Sequence, residues 1–300
     1  MSDAPPRRRA GGRNARVALR SAPPADDALA IWPGMSGGAY RPLTDQQMEQ
    51  VLDASFRLLE EIGMGQATPE FKDLVTDAGG TYDEVVDRLR FPRALVKAAI
   101  DMAAKEFTVH GWDPRHDITL GGDRVYFSTA GAAVLILDHK SQSFRYSTLQ
   151  DIYDIGRVVE TLDNVSLYVR TVVARDLEGS LNLDINSAYA AMASTTKPVG
   201  TSFFEPQHVH EVAEMFNIAL TGDPHSDAFR QRPFCVANNT FVVPPLRFAE
   251  DSTLCMAEQV RVGMPINLLS AGQAGATSPA ALAGSLAQAL AECLAALTCV

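Results

Sequence analysis

The chain has 300 residues, 46% of them hydrophobic and 21% charged, with a net charge of −10. That make-up suits a water-soluble chain with a sizeable core. The charge is uneven: six arginines against Asp3 place +5 on residues 1–20 and leave −15 on the rest. So acidic a body argues against a nucleic-acid enzyme, which needs a basic face to displace counterions. The four cysteines, Cys235, Cys255, Cys293 and Cys299, form no C-x-x-C pair and lie in apolar patterns. They read as reduced core residues of a cytoplasmic protein. No apolar h-region follows the N-terminal arginines. The small, apolar run 280–300 is broken by Gln288 and Glu292 and reads as a buried helix, not a membrane span.

Residues 1–40, rich in Arg, Pro, Ala and Gly, read as a flexible basic arm. A helical cap with a hairpin is expected over 41–122. Its first helix starts at Thr44, where Gln47 completes a capping box, and stops at Gly63. A second helix is expected over 69–78 and a third from Pro92 to about residue 104. Residues 107–111 and 117–124 read as two strands of a hairpin that plugs one end of a barrel. From 123 onward one unit repeats: a short apolar strand, a small-residue turn and an amphipathic helix. The strands are expected at 125–128, 166–169, 199–202, 234–237 and 266–269. The helices are expected at 148–161, 184–195, 206–220, 250–263 and 279–300. A further hairpin, 135–138 with 143–146, sits inside the first turn. This alternation predicts an α/β fold with a parallel sheet, and five such units read as the first part of a (β/α)8 barrel.

In such a barrel the chemistry lies where strands run into the following loops. Those positions hold Thr129 with a run of small residues, Arg170, the Phe203-Phe204-Glu205 segment, Asn238-Asn239 with Phe241, and Gln273 in a Gly/Ala loop. Amides orient a ligand without titrating, which suits chemistry that does not depend on proton transfer. Each position also has a plain reading. The phenylalanines suit a core, Arg170 an ion pair, Asn238-Asn239 a turn, and Glu205 the start of the helix at Pro206. The His208-x-His210-Glu211 run resembles a metal cluster, but residues i and i+2 of a helix do not share a face. No metal site is expected. Lys197 precedes its strand, at the wrong end for a Schiff-base lysine.

Four separated runs, GGDRVYFSTAGAAV, STTKPVGTSFFEP, RPFCVANNTFVVPPLRFAED and GMPINLLSAGQAGATSPAALAGSLAQ, resemble the trimethylamine methyltransferase (MttB-like) family. The resemblance covers residues 7–300 and implies a (β/α)8 barrel of which this chain is the N-terminal part. It also implies methyl transfer from trimethylamine, or a quaternary amine such as glycine betaine, to the Co(I) of a corrinoid on a partner protein. On that reading the chain binds no metal itself, and a corrinoid-binding protein and a small amine are its partners. A homo-oligomer is compatible with it. Glu205 and Gln273 are then candidate catalytic residues, with Glu205 complementing the cationic nitrogen. Phe203, Phe204 and Phe241 are candidate faces for an ammonium group. Arg170 is a candidate for a betaine carboxylate, and Asn238, Asn239 and Thr129 complete the expected substrate site. The alternative is a barrel that binds or senses amines without turning them over.

Overall fold

A computed structural model describes residues 31–300 without a break and, before them, only Gly12, Asn14, Val17, Ala18 and Ala22. Most of the basic arm expected over 1–40 lies outside the described residues. The contacts divide the chain after Trp32, and Pro33–Val300 forms the larger unit.

Within it, strand β1 (Met35–Ser36) pairs antiparallel with Arg124–Val125. Helix α1 (Asp45–Arg57) begins with the expected capping box: Gln47 N–H donates to Thr44 Oγ1 at 3.2 Å, and Thr44 N–H to Gln47 Oε1 at 2.9 Å. Its last turn widens over Leu58–Ile62 and ends at Gly63. Helix α2 (Pro69–Asp77) starts at Thr68 with proline in its first turn, and α3 spans Arg93–Met102. Between them a hairpin, β2 (Thr81–Asp83) with β3 (Arg88–Arg90), was not expected. Its strands are three residues long and β3 is two-thirds arginine, which hides the alternation. Phe56, Leu59, Phe71, Leu89, Phe91 and Val96 form the cap's apolar interior.

The second hairpin pairs β4 (Glu106–Val109) with β5 (Ile118–Gly121) through four residue pairs. It covers the starting ends of two later strands. His110 N–H donates to the Pro233 carbonyl at 2.8 Å, Arg232 Nη2 to the Gly111 carbonyl at 2.6 Å, and Val109 and Ile118 bury against Val236. After β6 (Arg124–Val125) the first expected parallel strand is reduced to one bridge, Ser128 to Leu167, flanked by a bond from Ser166 N–H to the Phe127 carbonyl. A third hairpin, β7 (Leu135–Leu137) with β8 (Phe144–Tyr146), follows as expected.

Helix α4 (Leu149–Glu160) and strand β9 (Tyr168–Val169) begin the regular alternation. It continues through α5 (Ser180–Ser194), β10 (Val199–Thr201), α6 (Pro206–Thr221), the short α7 (Ala228–Gln231), β11 (Cys235–Asn239), α8 (Glu250–Val262), β12 (Ile266–Leu268) and α9 (Leu282–Thr298). Helix α5 starts a turn earlier than expected, at Ser180. The four strands form one parallel sheet in sequential order β9-β10-β11-β12. The described residues thus form a mixed α/β fold with four ladder-paired parallel strands, short of a closed barrel. No helix among them is long and apolar enough to cross a membrane.

Successive strand residues face opposite sides. Tyr168, Val199, Cys235 and Ala237 pack against Ile152 and Val159 of α4, Ala188 and Ala191 of α5, and Val212 and Phe216 of α6. The other face carries Val169, Gly200, Val236 and Asn238. The joints between units are polar and buried. Lys197 Nζ donates to the carbonyls of Val159, Leu162 and Val165 at 2.6–2.8 Å, closing the end of α4. Glu160 accepts from Thr195 Oγ1 at 2.5 Å and from Thr196 N–H at 2.8 Å. In α9, buried Glu292 accepts from Leu246 N–H at 2.8 Å and Gln288 Nε2 at 3.0 Å.

The β7–β8 hairpin is fastened to α4 by Arg145, whose Nη1 and Nη2 each lie 2.7 Å from a different oxygen of Asp151. Those bonds hold the Asp151 carboxyl down from 3.8 to about 2, against a smaller opposing effect of burial. A depressed carboxylate binds its proton more tightly when unfolded, so the contribution is full above about pH 4 and fades as the pH falls toward about 2. Replacing Arg145 with Met is expected to lower the denaturation midpoint modestly near neutral pH, since the arginine is partly solvated. In chemical denaturation the gap between variant and parent should narrow as the pH drops through that window.

Candidate functional site

The carboxyl ends of the parallel strands gather most of the expected site residues. Arg170 directly follows β9 and keeps its ladder bond, Arg170 N–H to the Gly200 carbonyl at 3.0 Å. By alternation it shares the side of Tyr168, whose hydroxyl donates to the Ile152 carbonyl of α4 at 2.5 Å. Arg170 is 6% exposed, and its Nε and Nη1 have no hydrogen-bond partner among the described residues. Burial lowers its pKa and the charge of Asp184 partly offsets this. Its guanidinium therefore belongs to the layer between sheet and helices.

The richest geometry lies after β10. Asp184, on α5 and 1% exposed, accepts at one oxygen, Oδ2, from Phe204 N–H at 2.9 Å and from His208 Nδ1 at 2.7 Å. Its pKa is raised by burial, against the pull of the Phe204 amide, His208 and Arg170. Glu205 occupies the residue before α6, but its side chain does not cap that helix. Its carboxylate instead accepts from Ser180 Oγ and Gln207 Nε2 and lies 3.8 Å from His208 Nε2. The Ser180 hydroxyl is the main reason its pKa is lowered, so it is ionised at neutral pH. The two phenylalanines split. Phe203 packs into the sheet–helix core, whereas Phe204 is 51% exposed.

The adjacent asparagines split as well. Asn239 is buried and its Nδ2 donates to the Ser252 carbonyl at 2.9 Å and Gln259 Oε1 at 3.1 Å, both on α8. Asn238 lies on the open face, where its Oδ1 accepts from Asn267 Nδ2 at 3.1 Å and its own Nδ2 has no partner among the described residues. It packs closely over Gly200, where a Cβ would stand 2.9 Å from Asn238 Nδ2 and make that amide shift. Phe241 is fully buried in the cap's interior, its ring centroid 6.4 Å from that of Phe248. Gln273 is exposed; its carbonyl accepts from Ala276, Thr277 and Ser278 N–H, each at 3.0 Å, which holds the loop after β12. Thr129 Oγ1 donates to the Val169 carbonyl at 2.6 Å, tying the first strand to β9.

The structure thus brings Phe204 and Glu205 together with Asp184, Ser180 and His208, and Asn238 together with Asn267. It places Arg170, Asn239 and Phe241 in buried layers. Asp184, Ser180, His208 and Asn267 were not among the expected site residues. A charged residue at the start of an Ala-rich buried helix is the signal that could have found Asp184. His208 and His210 do diverge, His208 to Asp184 and His210 to Glu258 at 2.5 Å. Among the described residues no group of three or more His, Cys, Asp or Glu is arranged to hold a metal ion.

Residues 9–300 match the family model described as trimethylamine methyltransferase. A trimethylamine methyltransferase of Desulfitobacterium hafniense is 28% identical over 252 residues, which cover 84% of this chain and 50% of that protein. One from Methanosarcina mazei is 25% identical over 285 residues, 91% of this chain and 55% of its own length. A glycine betaine methyltransferase from another strain of Desulfitobacterium hafniense is 24% identical over 260 residues, with coverages of 86% and 53%. The chain spans about half the length of these curated relatives.

The small residues after Thr129 serve a close approach of backbone to backbone. A Cβ on Gly131 would lie 2.0 Å from the Arg170 carbonyl oxygen, and the neighbouring Ala133 bridges to Val172. Gly131→Ala must push that backbone aside and is expected to cost about 2–3 kcal/mol. Urea denaturation checks this; an unchanged midpoint would show that the loop yields freely.

Proposed function

The chain belongs to the trimethylamine methyltransferase family, and from that premise we propose that the complete protein transfers a methyl group from trimethylamine, or a quaternary amine such as glycine betaine, to a corrinoid on a partner protein. The observation that carries this reading is the family match over residues 9–300, joined by relatives named for both kinds of donor. In this reading the complete fold is a (β/α)8 barrel and the four strands here belong to its first five units. Three features support it: the sequential parallel order, helices on one face, and a hairpin across the starting ends of the strands. The working compartment is the cytoplasm, in keeping with four unpaired cysteines.

The Co(I) corrinoid of the partner would supply the nucleophile that takes the methyl group. This chain's residues fit the remaining task, to hold a cationic donor and aim its methyl group. Glu205, ionised and about half exposed, complements the ammonium charge. The exposed ring of Phe204 offers it a face worth about 0.5–2 kcal/mol. Asn238, whose unpartnered amide nitrogen is enclosed beside Gly200, and Gln273, exposed beyond β12, orient the donor. Phe203, Arg170, Asn239, Phe241 and Thr129 act behind them, through packing and hydrogen bonds that hold the strand ends.

The test is to mix the complete protein with reduced Co(I) cobalamin and a panel of methylamines and betaines, and to follow methyl–cobalt formation by absorbance. One donor class is expected to react. Glu205→Gln is expected to raise the KM for that donor roughly tenfold by removing its charge partner. Failure of every donor defeats the catalytic reading, and donor binding without reaction supports an amine-binding protein instead.

A further inference from the structure

The segment that carries Phe204 and Glu205 is held from two sides. The first turn of α6 meets it through Gln207 Nε2 and the His208 amide, and α5 holds it through two side chains on one face of that helix. Ser180 and Asp184 are four residues apart, one helical turn. Ser180 Oγ donates to Glu205, while Asp184 Oδ2 accepts from the Phe204 amide at 2.9 Å and from His208 Nδ1 at 2.7 Å. Two loop groups and one from the first turn of α6 thus converge on one turn of α5. With Asp184 as the carboxylate, Oδ2 accepts from both, so the His208 ring donates from Nδ1 and turns Nε2 toward Glu205 at 3.8 Å. Asp184 is 1% exposed and His208 3% exposed, so neither bond competes with water. Behind Asp184 stands Arg170, equally enclosed and with two guanidinium nitrogens unpartnered among the described residues.

We propose that Asp184 and His208 are positioning residues of the amine site: they lock the β10–α6 segment onto α5 and so fix where the Glu205 carboxylate and the Phe204 ring meet the donor. This rests on the reading of the site as an amine site. The pair does not touch the donor; Glu205 and Phe204 do. Ser180 is the second tie, acting on Glu205 directly.

The test uses the complete protein and two readouts, donor kinetics and amide hydrogen exchange of the segment 202–208. His208→Leu removes the donor to Asp184 at similar bulk, while His208→Asn places an amide nitrogen near the former Nδ1 and can restore that bond. His208→Leu is expected to raise KM about tenfold with kcat within about twofold. It should also speed exchange at 202–208 about fivefold while Leu149–Glu160 stays protected. His208→Asn is expected to recover most of both changes. Unchanged KM and exchange overturn the proposal, and so does a general rise in exchange with no rescue, which marks a purely structural pair. If His208→Leu does not fold, His208→Phe decides, since it keeps a planar ring and removes the nitrogen that meets Asp184; KM and exchange unchanged in that variant overturn the proposal. Absence of turnover by the unsubstituted protein defeats the amine reading alone. The exchange comparison then still decides whether the pair fixes the segment.

Discussion

Crossovers between parallel strands bury the ends of helices and strands together, and a buried end leaves carbonyls and amides that water cannot reach. Side chains must meet them, and the rest of this structure hangs on how they do. Lys197 gathers three carbonyls where α4 finishes and β10 begins. Glu160 takes the hydroxyl of Thr195 and the amide of Thr196 at the same joint. Asp184 takes an amide and a ring nitrogen at the far end of β10, and Glu292 takes the Leu246 amide beside α9. An enclosed charge is stable only while its partners stay in place. Each joint therefore fixes one strand–helix unit against the next more sharply than apolar packing alone.

The rule is not met in full at either end of the sheet. At the starting ends a hairpin covers the strands, with Val109 and Ile118 seated on Val236, yet Trp112 Nε1 and Ser166 Oγ stay unpartnered among the described residues. At the finishing ends polar atoms on Arg170, Asp184 and Asn238 keep unpartnered positions among the described residues. Native interiors tolerate few such groups, and those they keep concentrate where a protein does its work. Backbone closeness and polar surplus sit side by side here, since Gly131 and Gly200 let strands and amides approach where any side chain would intrude.

The helices were legible in the sequence because their apolar period and caps are local properties, as Thr44 and Gln47 show. The parallel strands were legible as short apolar runs. The first was not fully realised, since Arg124–Val125 turns to an antiparallel partner and leaves Ser128 a single parallel bridge. What the sequence could not separate was side. Asn238 and Asn239 are chemically alike, yet one step of the pleat sends the first to the open face and the second to Gln259 of α8. The same step divides Phe203 from Phe204. The pairing of Asp184 with His208 escaped notice because it spans 24 residues and two helices, and no local pattern encodes it. Phe241 looked like part of a strand mouth because the apolar interior it shares with Phe248 is completed by cap residues far away in sequence.

The reach between cap and sheet also shapes how the chain comes into being. Phe56, Leu59 and Phe71 of the cap share one apolar interior with Phe241, Phe248, Met256 and Leu294, and Ser55 Oγ donates to the Ala287 carbonyl across a separation of 232 residues. A ribosome adding about 5–20 residues per second needs on the order of 10–50 s to make that stretch. For all of that time the first helix waits with its greasy side uncovered. The cap is made early but is completed only once α9 has been added, so through that interval its nascent helices carry the kind of exposed apolar surface that chaperones hold.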